Sequence, residues 1–197
     1  MLISTDQSAI NITNCSFIDN DCTGSGNVGG VFRFEGATGT RSSSNTNRVY
    51  IDNCYFEGSS ATNHGGVICS RDSYLTITNS KFINNEAPFS GAVHMHEPGL
   101  LIDNCTFINN RATGTGSDVT GFGAAVSCLN DVFNPTESYN YTIKNSYFEG
   151  NNAKMYGAAI EMKANYVTAD NCTLVNNQAP RGAAISIDGN YAVDEFG

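Results

Sequence analysis

The stretch Leu100-Leu101-Ile102-Asp103-Asn104-Cys105-Thr106-Phe107-Ile108-Asn109-Asn110, LLIDNCTFINN, decides the fold because it recurs along the chain. INITNCSFIDN at 10–20, VYIDNCYFEGS at 49–59, LTITNSKFINN at 75–85, YTIKNSYFEGN at 141–151 and VTADNCTLVNN at 167–177 follow the same template. The aliphatic at its third place, Ile12, Ile51, Ile77, Ile102, Ile143 and finally Ala169, advances by 39, 26, 25, 41 and 26 residues. The base period is therefore 25–26, with insertions in two repeats. A repeat of this size, built from short alternating segments and turn residues, predicts one coil of a parallel β-helix. A helical repeat would need longer amphipathic runs, and none is visible.

Reading down the columns gives the physical logic. The isoleucines stack inward about 4.8 Å apart. Two places later comes Asn14, Asn53, Asn79, Asn104, Asn145 or Asn171. Asparagine tolerates the left-handed backbone of a sharp turn, and its amide can bond the same amide one coil away. A buried amide stack is the expectation for this column. An inward Cys/Ser column follows (Cys15, Cys54, Ser80, Cys105, Ser146, Cys172), then an aromatic stack of Phe17, Phe56, Phe82, Phe107 and Phe148, closed by Leu174. Asn20, Ser59, Asn85, Asn110, Asn151 and Asn177 read as a second turn column. Beyond each template, small residues lead into an aliphatic: GGV at 29–31 and 65–67, GAV at 91–93, AAV at 124–126, and AAI at 158–160 and 183–185. From these, Val67-Ile68-Cys69 and Val93-His94-Met95 are expected to alternate in, out, in. The faces of Phe32 and Phe34 stay open.

Composition narrows the function classes. The chain of 197 residues carries 10 Lys+Arg against 19 Asp+Glu, a net charge of −9. That balance argues against a nucleic-acid binder, which needs a basic face, and against adhesion to anionic membrane surfaces. No apolar run is long enough to insert in a bilayer. The opening MLISTDQSAI has no basic stretch followed by an apolar one, so no secretion signal is legible and the chain reads as a mature or excised piece. One domain over 1–197 is expected, with inserted loops near 35–48, 113–121 and 129–139. Both ends fall mid-coil, with Tyr191-Ala192-Val193-Asp194 resembling the start of a seventh template. Two partner readings follow: continuation into a longer solenoid, or end-to-end self-association on unpaired strand edges.

Chemistry-bearing residues are mostly absorbed by the columns. No C-x-x-C spacing occurs among the seven cysteines. Ser, Met and Ala stand in for Cys at equivalent places, so packing rather than metal or redox chemistry is expected, with a Cys15–Cys54 bridge left open. His94-Met95-His96-Glu97 reads as surface histidines rather than a metal site, and no cofactor is implied. The outward column Thr13, Asp52, Thr78, Asp103, Lys144, Asp170 interrupts its acids with Thr and Lys. It therefore lacks the paired carboxylates of a glycosidase, and Asp103 beside Lys144 reads as an ion pair. Tyr55 and Tyr147 would have to form an exposed groove to bind sugar. Glycosylation sequons occur at Asn11, Asn14, Asn104, Asn140 and Asn171. Asn11 and Asn140 are expected to accept glycan, while Asn14, Asn104 and Asn171 are expected to be inaccessible.

The pairing of Phe-x-x-Asn (Phe17–Asn20, Phe82–Asn85, Phe107–Asn110, Phe148–Asn151) with Gly-Ala-Ala-aliphatic (Gly123–Val126, Gly157–Ile160, Gly182–Ile185) resembles the repeats of chlamydial polymorphic outer-membrane proteins and similar adhesin-like surface proteins. The resemblance covers essentially the whole chain. It implies a right-handed parallel β-helix exposed on a cell surface, with an adhesive role. The expectation is an all-β, single-stranded right-handed solenoid of about six coils, roughly 29 Å long. It is expected to be extracellular or cell-surface, structural or adhesive and not an enzyme, and to present loops to a glycan or protein ligand. The alternative is a carbohydrate-binding or polysaccharide-degrading module.

Overall fold

The computed structural model describes residues 2–4, 9–26, 28–35, 47–114, 121–129, 140–163 and 166–188. Most of the three expected insertions, and all of residues 191–194, lie outside them. Each coil passes through the same backbone events. A strand ends at an asparagine with positive φ: Asn14 (56°), Asn53 (50°), Asn79 (52°), Asn104 (54°), Asn145 (50°) or Asn171 (48°). Asn enters this left-handed region more readily than other side chains. A three-residue strand follows, as in Tyr55–Glu57, Lys81–Ile83 and Thr106–Ile108. A second left-handed residue then turns the chain again: Asp19, Gly58, Asn84, Asn109, Gly150 or Asn176. Next come a two-residue strand, such as Glu86–Ala87 or Arg111–Ala112, and the small-residue corner.

The coil closes with a long strand. It is unbroken in Ile68–Thr78 and Val93–Asp103, and elsewhere divided, as in Val126–Leu129 with Asn140–Lys144. Stacking the coils makes three sheets of eleven, six and five strands, with parallel pairing throughout the described strands. Among the described residues no helix occurs.

Like residues superpose as the period requires. Ile12, Ile51, Ile77, Ile102, Ile143 and Ala169 are in register across five successive strand pairs. The six-stranded sheet aligns Phe17, Phe56, Phe82, Phe107, Phe148 and Leu174. Ring centroids along this stack are 5.1, 4.7, 4.7 and 4.9 Å apart, with planes within 15° of parallel. Phe56, Phe82, Phe107 and Phe148 are wholly buried, so each contributes on the order of 2–3 kcal/mol of burial plus ring stacking.

At the small-residue corner the register differs by one residue from the expectation. Ile68, not Val67, pairs with Val93, Val126, Ile160 and Ile185 in the continuing column. Val67 instead takes the place held by Ala92, so the first two coils read Gly-Val-Phe and Gly-Val-Ile where the third reads Gly-Ala-Val. A β carbon on Gly66 would sit 2.1 Å from the Gly91 carbonyl oxygen, which fixes glycine there. The slip also resolves the phenylalanines of the first coil. Phe32 pairs with Ile68 and Phe34 with Ser70, and both point inward at 5% and 0% exposure.

Candidate functional site

Two asparagine ladders run along the solenoid, and their environments are the reverse of the sequence expectation. The turn column Asn14, Asn53, Asn79, Asn104, Asn145 and Asn171 is solvent-exposed. A left-handed corner residue points its side chain away from the coil, so this stack is not buried. Its amides still bond, but toward earlier coils. Asn53 Nδ2 donates to Asn14 Oδ1 (2.7 Å), Asn104 to Asn79 (2.8 Å) and Asn171 to Asn145 (2.8 Å). Asn79 and Asn145 donate instead to the carboxylates of Asp52 (2.7 Å) and Asp103 (2.8 Å).

The buried ladder is the second column. Asn85, Asn110 and Asn151 are 0% exposed. Asn85 Nδ2 donates to Asn110 Oδ1 (3.0 Å), Asn110 to Asn151 (3.0 Å) and Asn151 to Asn177 (2.9 Å), all toward later coils. The other amide hydrogen of Asn110 goes to the Phe82 carbonyl (3.0 Å), and its Oδ1 also accepts from the Asn85 backbone N–H (3.1 Å). Every polar atom of these side chains thus has a partner, which is what makes burial affordable.

The Cys/Ser column shows why the two residues interchange. Ser80 Oγ donates to the Thr78 carbonyl (2.7 Å), and Cys105 Sγ donates to the equivalent Asp103 carbonyl (3.3 Å). All seven cysteines are free, Cys15 and Cys54 included. Burial pushes the Cys105 thiol up to about 12, so it stays protonated and unreactive. Lys144 Nζ lies 3.2 Å from Asp103 Oδ2, as the column predicts. Tyr55 and Tyr147 form no groove, because Lys81 and Thr106 stand between them in register. Their hydroxyls are turned onto Glu57 (2.7 Å) and Glu149 (3.0 Å) of their own strands. Asn11 and Asn140 are exposed, and so are Asn14, Asn104 and Asn171, which corrects the expectation of inaccessibility for those three.

The outer face of the long sheet holds what the columns did not reveal. The residue just before each small corner packs on its counterparts in other coils: His64 stacks on Phe89 (centroids 4.7 Å), Phe89 meets Phe122 edge to face (5.3 Å) and Phe122 stacks on Tyr156 (5.2 Å). Arg181 extends this ridge, its Nη1 donating to the Tyr156 hydroxyl (3.0 Å). The ridge buries the outward column beneath it. Cys69, aligned here with Arg33 and His94 rather than facing inward, is only 8% exposed, and His94, Ser127 and Glu161 are 0% exposed. His94 is therefore not a surface histidine. It packs against His64 and His96 with ring centroids 4.7 Å away in each case. Burial first, then the neighbouring His96, His64 and Arg71, holds its imidazole neutral well below the ordinary histidine range.

Beside the ridge lies a cleft of about 220 Å³, lined by Arg33, Glu35, His64, Cys69, Arg71, His94 and His96 among others. Arg33 is engaged by Glu35, Nε to Oε1 at 2.8 Å. Burial pushes the Cys69 thiol up to about 12. Among the described residues no three His, Cys, Asp or Glu side chains form a metal-ligand group. The ridge was legible in principle. Val28, His64, Phe89, Phe122, Tyr156 and Arg181 share one place ahead of the corner, but Val and Arg at the two ends disguise an aromatic run.

A family described as a right-handed beta helix region matches residues 1–194. No curated protein and no solved structure matches the chain.

Proposed function

Because the chain belongs to the right-handed β-helix family, we propose that it serves as a stiff structural or adhesive segment on the outside of a cell and carries out no reaction of its own. The observation that carries this reading is where the recurring residues are spent. The isoleucine, phenylalanine, cysteine/serine and buried asparagine columns all bond or pack to their own copies in adjacent coils. The likeness of Phe-x-x-Asn and Gly-Ala-Ala-aliphatic to adhesin-like surface repeats supports the surface role. Its partners in this reading are further coils, of its own chain or of a second copy, and a glycan or protein held through the inserted loops. Five exposed sequon asparagines fit a chain that meets a secretory route.

The outward column also supports a non-enzymatic role. Asp52 and Asp103 are separated by Thr78, and Asp103 and Asp170 by Lys144, so neighbouring coils do not present two acids there. Incubating the purified chain with a panel of plant and microbial polysaccharides tests this directly. No new reducing ends should appear, while fluorescently labelled chain should be retained on intact cells. Release of reducing ends would replace this reading with the polysaccharide-degrading one.

A further inference from the structure

The cleft beside the aromatic ridge has features that stacking does not require. Two outward columns, Arg33–Cys69–His94 and Glu35–Arg71–His96, form a grid on three adjacent coils, with His64 over it. On a chain of net charge −9 this grid is a local exception. Its fixed charges are Arg33 and Arg71 against Glu35 alone, and Glu35 is already engaged by Arg33. Arg71 is exposed and has no ion-pair partner among the described residues. His94 is wholly buried, and among the described residues neither of its ring nitrogens has a hydrogen-bond partner, nor does His64 Nδ1. An unpartnered buried donor costs on the order of 1–3 kcal/mol, and a ligand that accepts from it recovers that cost.

We propose that this cleft binds a small oxyanion, a carboxylate or phosphate group, held by the fork of Arg71 and by the imidazoles of His64 and His94, with a proton taken up on binding. Guanidinium matches either oxyanion bidentately. The volume of about 220 Å³ admits a single sugar acid or a phosphate, but not a folded chain segment. Cys69, paired with Arg33 across the coils and two residues before Arg71 on its own strand, stays a thiol and contributes no competing negative charge. Burial, then Arg71, opposes protonation of His64, and burial, then His96, His64 and Arg71, opposes that of His94 more strongly. An anion reverses that opposition, so affinity rises as pH falls.

Calorimetry on the full chain, with inorganic phosphate, glucuronate and neutral glucose as probes, tests the site. Saturable binding of phosphate or glucuronate is expected, with proton uptake seen as a dependence on buffer ionisation enthalpy. For glucuronate, whose carboxylate stays ionised throughout, affinity should tighten roughly fivefold or more between pH 7.5 and pH 5.5. Binding of phosphate alone would assign the site to phosphorylated or free phosphate ligands, and of glucuronate alone to acidic sugars. Arg71→Gln should weaken binding about tenfold or more and Arg71→Lys less, since it keeps the charge without the fork. Lys163→Gln, on the same face two coils beyond His96, should leave binding within about twofold. The proposal falls if neither anion saturates by about 10 mM, if glucose binds as well, if affinity is flat with pH, or if Arg71→Gln and Lys163→Gln behave alike.

Discussion

The ladder through Asn85, Asn110, Asn151 and Asn177 and the one through Asn14, Asn53, Asn79, Asn104, Asn145 and Asn171 share a residue type, a repeat and an amide-to-amide bond. They differ in what the asparagine is for. In the exposed ladder the backbone needs it, because each member sits at φ near +50° and water would otherwise satisfy its amide. In the buried ladder the left-handed residue is the one before, Asn84, Asn109, Gly150 or Asn176, and the asparagine is there for its four hydrogen-bonding positions. One ladder is held by conformation, the other by desolvated polar bonding.

The largest expected effect separates the two directly. Asn110→Ala strips partners from the Asn85 amide, the Asn85 N–H and the Phe82 carbonyl inside the core. Urea unfolding should show a loss of about 5 kcal/mol. Asn104→Ala, on the exposed ladder, should cost only about 1–2 kcal/mol, the left-handed penalty that a short polar side chain offsets and a methyl group does not. Equal losses would break the distinction. Next in size is Phe107→Ala, which opens a cavity in the ring stack and should cost about 4 kcal/mol by the same measurement.

Cys105→Ser should fall within about 1 kcal/mol of the parent, since Ser80 and Ser146 already make that bond from the same column. In the native chain Cys105, with its thiol at about 12, should label with a thiol reagent far more slowly than exposed Cys15, a contrast that unfolding erases.

The smallest effects come from acid. Hydrogen bonds from Thr78 and Asn79 hold the Asp52 carboxyl below its ordinary value, and Asn145, then Lys144, do the same for Asp103. A depressed folded pKa gives stability present above the unfolded value near 3.8 and lost as pH falls through the folded one. Both side chains face water, so the change in a pH titration of stability should be slight. Asp103→Asn should remove its share. His94 works in a different window. Its neutral form is favoured on folding, so stability should decline as pH drops below about 6.5. An acid limb confined to below pH 4 would show that His94 is not held neutral.

Much of the architecture was legible because a 25–26-residue period forces like residues together. The isoleucine and phenylalanine columns, the Cys/Ser exchange and the Asp103–Lys144 pair all follow from alignment. What spacing does not encode is direction. Asn104 and Asn110 recur with the same period, and only the handedness of the backbone at each corner decides which amide turns outward. The one-residue slip at Val67 arose because a valine fills a place that later coils give to alanine, so residue size misled where backbone pairing did not. The cleft was hidden for a third reason: Arg33, Cys69 and His94 share no chemical character that marks them as neighbours.

The opposed directions of the two ladders have a consequence for the rod as a whole. In an α-helix the peptide dipoles add, leaving a partial charge at each end. Here one file of amides is oriented up the axis and the other down it. The shorter file lies in the low-dielectric interior and the longer one is screened by water. Their moments oppose, so the side-chain amides leave the rod without a strong electrical pole, and its charge pattern is set by its flanks.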